Sequence, residues 1–163
     1  MRKIVLIIFF LCTPIKAFCN EPIVIVDIDF LLKNSKKGIS IQKEINLESE
    51  KNLKFFEKEE KSLKEKEKNI STKKNILSQN DFVKEVENFR KEVAAYNSEK
   101  SKKVQELNSI KTKKIGDLLK EINSILIDYS KKNNISTTLD KKYVIMTKKD
   151  NDITEKILEI LDN

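Results

Sequence analysis

Histidine and tryptophan are absent from this 163-residue chain, and glycine, proline, cysteine and methionine occur only twice each. Each scarcity excludes something. Without histidine the chain lacks the commonest metal ligand and general base, which argues against a zinc site. Both cysteines, Cys12 and Cys19, lie close to the N-terminus, so the remainder carries no disulfide framework and no thiol nucleophile. There is no glycine-rich phosphate loop and no metal-ligand spacing. Nothing in the sequence calls for a cofactor, and an enzyme is the least favoured class. Aromatic residues make up only 7%, whereas a compact globule of this size needs more apolar bulk.

What is present is charge. Charged residues are 36% of the chain, with 33 Lys+Arg against 26 Asp+Glu, a net +7. That composition suits elongated, solvated helices; full disorder is its rival, and helical spacing of the apolar residues counts against it. The first residues read as a secretory leader, 1–19. Met1-Arg2-Lys3 is basic, Ile4 to Cys12 is apolar, and Ala17-Phe18-Cys19 offers small residues at the positions a signal peptidase reads. Cleavage after Ala17 is an alternative, as are an uncleaved anchor and a lipoprotein at Cys19. Removing Arg2, Lys3 and Lys16 leaves 30 basic against 26 acidic residues, a balance of +4. The leader places the chain in the periplasm. It also argues against nucleic acid as a cellular partner, although a basic pI of about 9.2 would permit salt-sensitive binding.

Along the chain, Ile23-Val24-Ile25-Val26 is a β-branched run after Pro22, the mark of a strand buried on both faces. A strand end and one helical turn are expected over Asp27 to Leu32, and Gly38 as the break before a long helix. From Ile39 to Asn133 there is no proline and one glycine, Gly116. The first long helix is predicted from Ser40 to Leu77, about 57 Å at 1.5 Å per residue, with Phe56, Leu63, Ile70 and Leu77 as a heptad seam. Ser78-Gln79-Asn80-Asp81 reads as a tight turn, with Ser78 capping a second helix and Asp81 at its third position. That helix is predicted from Gln79 to Lys132. Phe82, Val86, Phe89, Val93 and Tyr96 form one phase, and Ile115, Leu118, Ile122, Ile125 and Tyr129 a second, joined by a slip near Lys100 and Val104. A connection this short makes the helices antiparallel. A β-hairpin is predicted from Ile135–Leu139 and Tyr143–Thr147 around Asp140-Lys141-Lys142. A last helix follows, capped by Asp150 or Asn151, with Ile153, Ile157, Leu158, Ile160 and Leu161 on its apolar face.

The expected fold is therefore α+β and predominantly helical: a leader (1–19), a β-rich body (20–37 and 134–163) and a helical hairpin arm (38–133). A body of this size rarely stands alone without disulfides, metal or a partner chain. A homo-oligomer is the remaining option. Its contact candidates are Ile23, Val24, Ile25, Val26, Tyr143, Val144 and Ile145.

In this layout the chain resembles the Skp/OmpH-like periplasmic chaperones. The resemblance rests on Ile25-Val26-Asp27-Ile28 leading into Phe30-Leu31, on Lys36-Lys37-Gly38-Ile39-Ser40, and on Ile135 to Asp140 followed by Asp152-Ile153-Thr154 and Ile157-Leu158. It implies a trimer joined through a β-rich body, with three helical hairpins around a cavity that holds unfolded outer-membrane proteins without ATP. Family members have also been proposed to contact lipid as lipopolysaccharide through a basic patch; no residue of that patch is carried over here. The chain departs from the family in being almost free of arginine, with Arg90 alone after the leader. A structural coiled-coil spacer or adaptor of the envelope is the competing function.

Lys100, Lys102, Lys103, Lys111, Lys113 and Lys114 form the most basic stretch, offset only by Glu99 and Glu106. They read either as an electropositive wall attracting acidic unfolded clients or as a solvated helix face. Phe55 falls off the Phe56 seam and is the aromatic candidate for client contact; the other arm aromatics fit the hairpin's own seam. Gly116 reads as a hinge or as a point of close packing. Asp27 and Asp29 read as a structural turn.

Overall fold

The computed structural model describes residues 22–163. The leader expected over 1–19 lies outside the described residues. The elements are β1 (Ile23–Val26), α1 (Ile28–Asn34), α2 (Lys36–Lys73), α3 (Gln79–Lys132), β2 (Thr137–Asp140), two 3-10 turns (Lys141–Tyr143 and Lys149–Asn151) and α4 (Thr154–Asp162). The fold is predominantly helical, a long antiparallel hairpin of α2 and α3 on a small base.

Local chemistry sets these boundaries. Asp27 caps α1, its Oδ1 accepting from the Phe30 amide at 2.8 Å. The buried Ser35 then serves two helices: its amide donates to the Leu31 carbonyl at 3.1 Å, and its Oγ accepts from the Gly38 amide at 3.1 Å. The break is therefore at Ser35, α2 starts at Lys36, four residues before the expected Ser40, and Gly38 lies inside α2. Gly38 is required for a different reason. A Cβ there would stand 2.0 Å from the Leu32 carbonyl oxygen, so the elbow between α1 and α2 closes only on glycine.

The hairpin turn follows the expected chemistry. Ser78 Oγ accepts from the Asp81 amide at 3.2 Å and donates to Asp81 Oδ2 at 2.6 Å. α3 runs from Gln79 to Lys132, the predicted span. At 54 residues it is roughly 81 Å long. Just past its C-cap Asn133, Asn134 takes the left-handed conformation (φ 51°) while the Ile135 amide donates back to the Ser130 carbonyl at 3.0 Å.

In the base, β1 pairs with β2 in parallel, Ile23 opposite Thr137 and Val26 opposite Asp140. Parallel neighbours need a crossover connection, and here the crossover is the entire hairpin. The predicted β-hairpin over 135–147 is not formed. Asp140 caps a 3-10 turn, accepting from the Lys142 amide at 3.2 Å, and this turns the chain away from β2; Tyr143 to Thr147 makes no strand. The other edge of β1 meets Asp152 in a parallel bridge, with the Ile153 amide donating to the Ile25 carbonyl at 3.0 Å. α4 begins later than expected, at Thr154, and neither Asp150 nor Asn151 caps it: Ile153 holds the N-cap position without a side-chain bond, and Asp152, one residue before, accepts from the Thr154 amide through Oδ1 at 3.0 Å.

The core gathers Val24, Val26, Leu31, Leu118, Ile122, Ile153, Ile157 and Leu161. Burying each such side chain contributes roughly 1.5–3 kcal/mol. Leu118 and Ile122 come from the second apolar phase of α3, so the inner half of that helix is part of the base's core.

Candidate binding surfaces on the arm and base

The arm is held in one register by cross-helix ion pairs. Lys37–Glu121 and Glu44–Lys114 lie near the base, Glu60–Lys100 (2.7 Å) in the middle, and Lys66–Glu92 (2.7 Å) and Lys73–Glu85 (2.9 Å) toward the tip. Within the basal pair and within the distal pair, each step forward of seven residues on α2 is matched by seven back on α3. Exposed pairs of this kind contribute little stability each, about 0–1 kcal/mol. Their pattern instead penalises slippage: a one-heptad slide would set Lys37 against Lys114.

Between the helices runs a single seam. Phe82, Val86, Phe89, Val93 and Tyr96 are half-buried, and so are Lys100, Lys103 and Leu107. The slip expected near Lys100 and Val104 therefore lies further along, between Leu107 and Leu118. The first phase continues to Leu107, with two lysines where apolar residues were sought. Glu60 Oε1 accepts from Tyr96 Oη at 2.6 Å and from Lys100 Nζ at 2.7 Å, while Lys100 lies 5.3 Å from the Phe56 ring centre and 5.6 Å from that of Tyr96. The Lys100 hydrogen bond holds the Glu60 carboxyl below its ordinary range, and the same bond raises Lys100. Burial, then the bond to Glu60, pushes Tyr96 up. On α2, Asn52 is buried in the corresponding stretch.

The six lysines of the basic stretch do not form one face. Lys100 and Lys114 are engaged across the hairpin, and Lys103 lies 4.8 Å from the centre of the Phe55 ring. Lys102, Lys111 and Lys113 are exposed, the first only 3.9 Å from Glu106 on its own helix. Phe55 is half-buried, edge-on to Phe56 at 5.9 Å. It thus belongs to the hairpin more than its off-seam position predicted. Gly116 has no atom within 4 Å of where its Cβ would be, which removes close packing as its reason.

In the base, Val24, Ile25 and Val26 are buried in the chain's own core. They can support a contact surface only from beneath. Ile23 is half exposed, Val144 is half-buried, and Tyr143, Ile145 and Met146 stand out at 80%, 104% and 89% exposure. A separate cleft of about 670 Å³ is lined by Val26, Ile28, Leu126, Ile127, Ile135 and Leu139 among others. Sequence reasoning missed Met146, and it missed Leu47, Leu53, Val104 and Ile110, exposed aliphatic side chains on the arm. Their signal was present as apolar residues off the heptad positions. Two lysines brace the connector: Lys141 Nζ to Asp152 Oδ2 at 2.8 Å and Lys142 Nζ to Asp140 Oδ2 at 2.9 Å. Burial raises both carboxyls, but those lysines and the neighbouring amides outweigh it and hold them low. Among the described residues no helix is long and apolar enough to cross a membrane.

Comparison with known proteins agrees with this architecture. No curated protein matches the chain. A solved structure from Caulobacter crescentus CB15, described as a candidate outer membrane chaperone (OmpH-like), superposes with a TM-score of 0.79 at 16% identity, covering 87% of this chain and 84% of that one. At that identity the likeness establishes the fold. The family model for outer membrane protein (OmpH-like) matches residues 22–161, nearly the whole described chain. The chain belongs to the OmpH-like family.

Proposed function

We propose that this protein is an ATP-independent periplasmic holdase. In this reading residues 1–19 export it, copies associate as a trimer through the base, and the arms together enclose unfolded outer-membrane proteins. It performs no chemistry on them. The observation that supports this reading most is the arm itself: a hairpin limited by the 38 residues of α2 to about 57 Å, which projects charged surface into solvent from a base whose Tyr143, Ile145 and Met146 lie open. Exposed apolar side chains on so small a base fit contact with further copies of the chain. Ile23, Tyr143, Val144 and Ile145 form that contact, with Val24, Ile25 and Val26 behind it. Association brings several basic arms together, and positive walls raise the local concentration of acidic chains. Lysine suits promiscuous holding, since it offers charge without bidentate geometry.

The test is aggregation of a urea-diluted outer-membrane β-barrel protein, followed by light scattering with and without the 20–163 chain. Suppression without nucleotide is expected. Unchanged scattering from a folded oligomer would leave the spacer reading in its place.

A further inference from the structure

We infer that client contact is concentrated in a collar on the inner half of the arm, where exposed lysines and exposed aliphatic side chains share one level, and that its ligand is an unfolded segment mixing acidic with apolar residues. The inference rests on the holdase reading and locates its site.

Two observations carry it. The first is where the charge lies. Residues 20–163 carry a balance of +4; residues 99–114 alone hold six lysines and two glutamates, also +4. The remainder of 20–163 is balanced, with 24 residues of each sign. Counted over both helices, residues 44–55 and 99–114 hold eight basic and five acidic residues, +3 of the chain's +4, so the arm's tip and the base carry only +1 between them. The second is level. Lys114–Glu44 and Lys103 over Phe55 bracket a band in which α2 residues 44–55 lie across α3 residues 103–114. Leu47, Leu53, Val104 and Ile110 all fall in this band, at 49%, 56%, 45% and 41% exposure. The band is about 17 Å tall. The carboxylates of α2 nearby are partly neutralised, Glu44 by Lys114 and Glu48 by Lys51 at 3.1 Å. Lys111 and Lys113 make no ion pair among the described residues, and Lys102 stands just beyond the band's edge. An extended client that alternates acidic and apolar side chains can meet both kinds of group at once, charge to lysine and apolar to leucine, valine or isoleucine. Charge supplies capture and the aliphatic groups supply dwell time.

Four forms of the 20–163 chain distinguish the collar from the rest: wild type; Lys102→Glu, Lys111→Glu, Lys113→Glu; Leu47→Gln, Leu53→Gln, Val104→Gln, Ile110→Gln; and a tip control, Lys61→Glu, Lys64→Glu, Lys68→Glu. Among the described residues these positions are exposed and make no cross-helix ion pair or hydrogen bond, and circular dichroism verifies that each form keeps its helix content. The probe is a fluorescently labelled, urea-unfolded acidic outer-membrane β-barrel protein, used as it stands and after amidation of its carboxylates. Both collar variants should bind the untreated probe about tenfold or more weakly, the charge variant through slower association. The tip control should stay within about twofold of wild type, and amidation should bring wild type down to the collar-charge variant. Equal loss in tip and collar forms, or collar variants that bind like wild type, would overturn the collar and leave the holdase standing. A folded wild type that binds neither probe would overturn both.

Discussion

Gly38 and Gly116 sit in neighbouring helices under opposite constraints. A methyl group at residue 38 would collide with the Leu32 carbonyl, while one at residue 116 meets open space. Gly38→Ala should therefore lower stability in urea melts by about 2 kcal/mol. Gly116→Ala should raise it by about 0.5–1 kcal/mol, the ordinary helix preference for alanine. If residue 116 also serves as a hinge, the alanine form should hold clients over a narrower range of sizes. At Asp152 the prediction concerns pH. Its carboxyl is held low in the folded chain by Lys141 and Thr154, so its contribution is present above the unfolded carboxylate range and is lost as pH falls through the folded value. Asp152→Asn should cost about 1 kcal/mol at neutral pH and flatten the acid limb of a stability–pH curve; an unchanged acid limb would remove this pair from the base's stability. Of these residue roles the sequence showed few. Asp27 was legible as a turn former, but the collision at Gly38 and the service of Asp152 depend on residues distant in the chain or in space.

At the scale of elements, the arm was the most legible part, because helix periodicity and the Ser78 cap are local signals. Both helix spans follow from them: α3 from Gln79 to Lys132, and α2 at the expected length but displaced four residues toward Ser35. The base was less legible. A parallel strand pair joined through the whole arm leaves no local mark, and the pattern over 135–147 equally suits a hairpin, which the Asp140 turn prevents. The seam was misread because apolar residues alone were counted, whereas Lys100 and Lys103 continue it through Glu60 and Phe55. This polar midsection makes two predictions. Asn52→Leu should stabilise the arm by about 1 kcal/mol, since a polar residue in a heptad seam fixes register at a cost in stability; a destabilised variant would show that Asn52 holds the midsection together. Glu44→Lys should weaken the arm by a few tenths of a kcal/mol, and Glu44→Lys with Lys114→Glu should restore it. Failure of the exchange to restore would mean the pair does not act in register.

For the whole molecule, the decisive feature is a division of labour. One end buries a small core of eight side chains, and the other extends two helices that bury only a narrow seam. In the proposed assembly a base this small gains from further copies, and Tyr143, Ile145 and Met146, exposed in the single chain, are the apolar surface proposed to meet them. Val24→Asp should unfold the base or separate the copies, since it places a carboxylate in the core. Tyr143→Asp with Ile145→Asp should separate the copies and leave helix content intact. An oligomer unaffected by the second change would move the contact elsewhere. The most direct measurement is the mass, by analytical ultracentrifugation, of the 20–163 chain alone and after mixing with an equimolar urea-unfolded outer-membrane β-barrel protein. The expected result is a trimer that takes up a single client and keeps it in solution without nucleotide. A folded monomer at micromolar concentration, or a trimer that sediments apart from an aggregating client, would contradict the account.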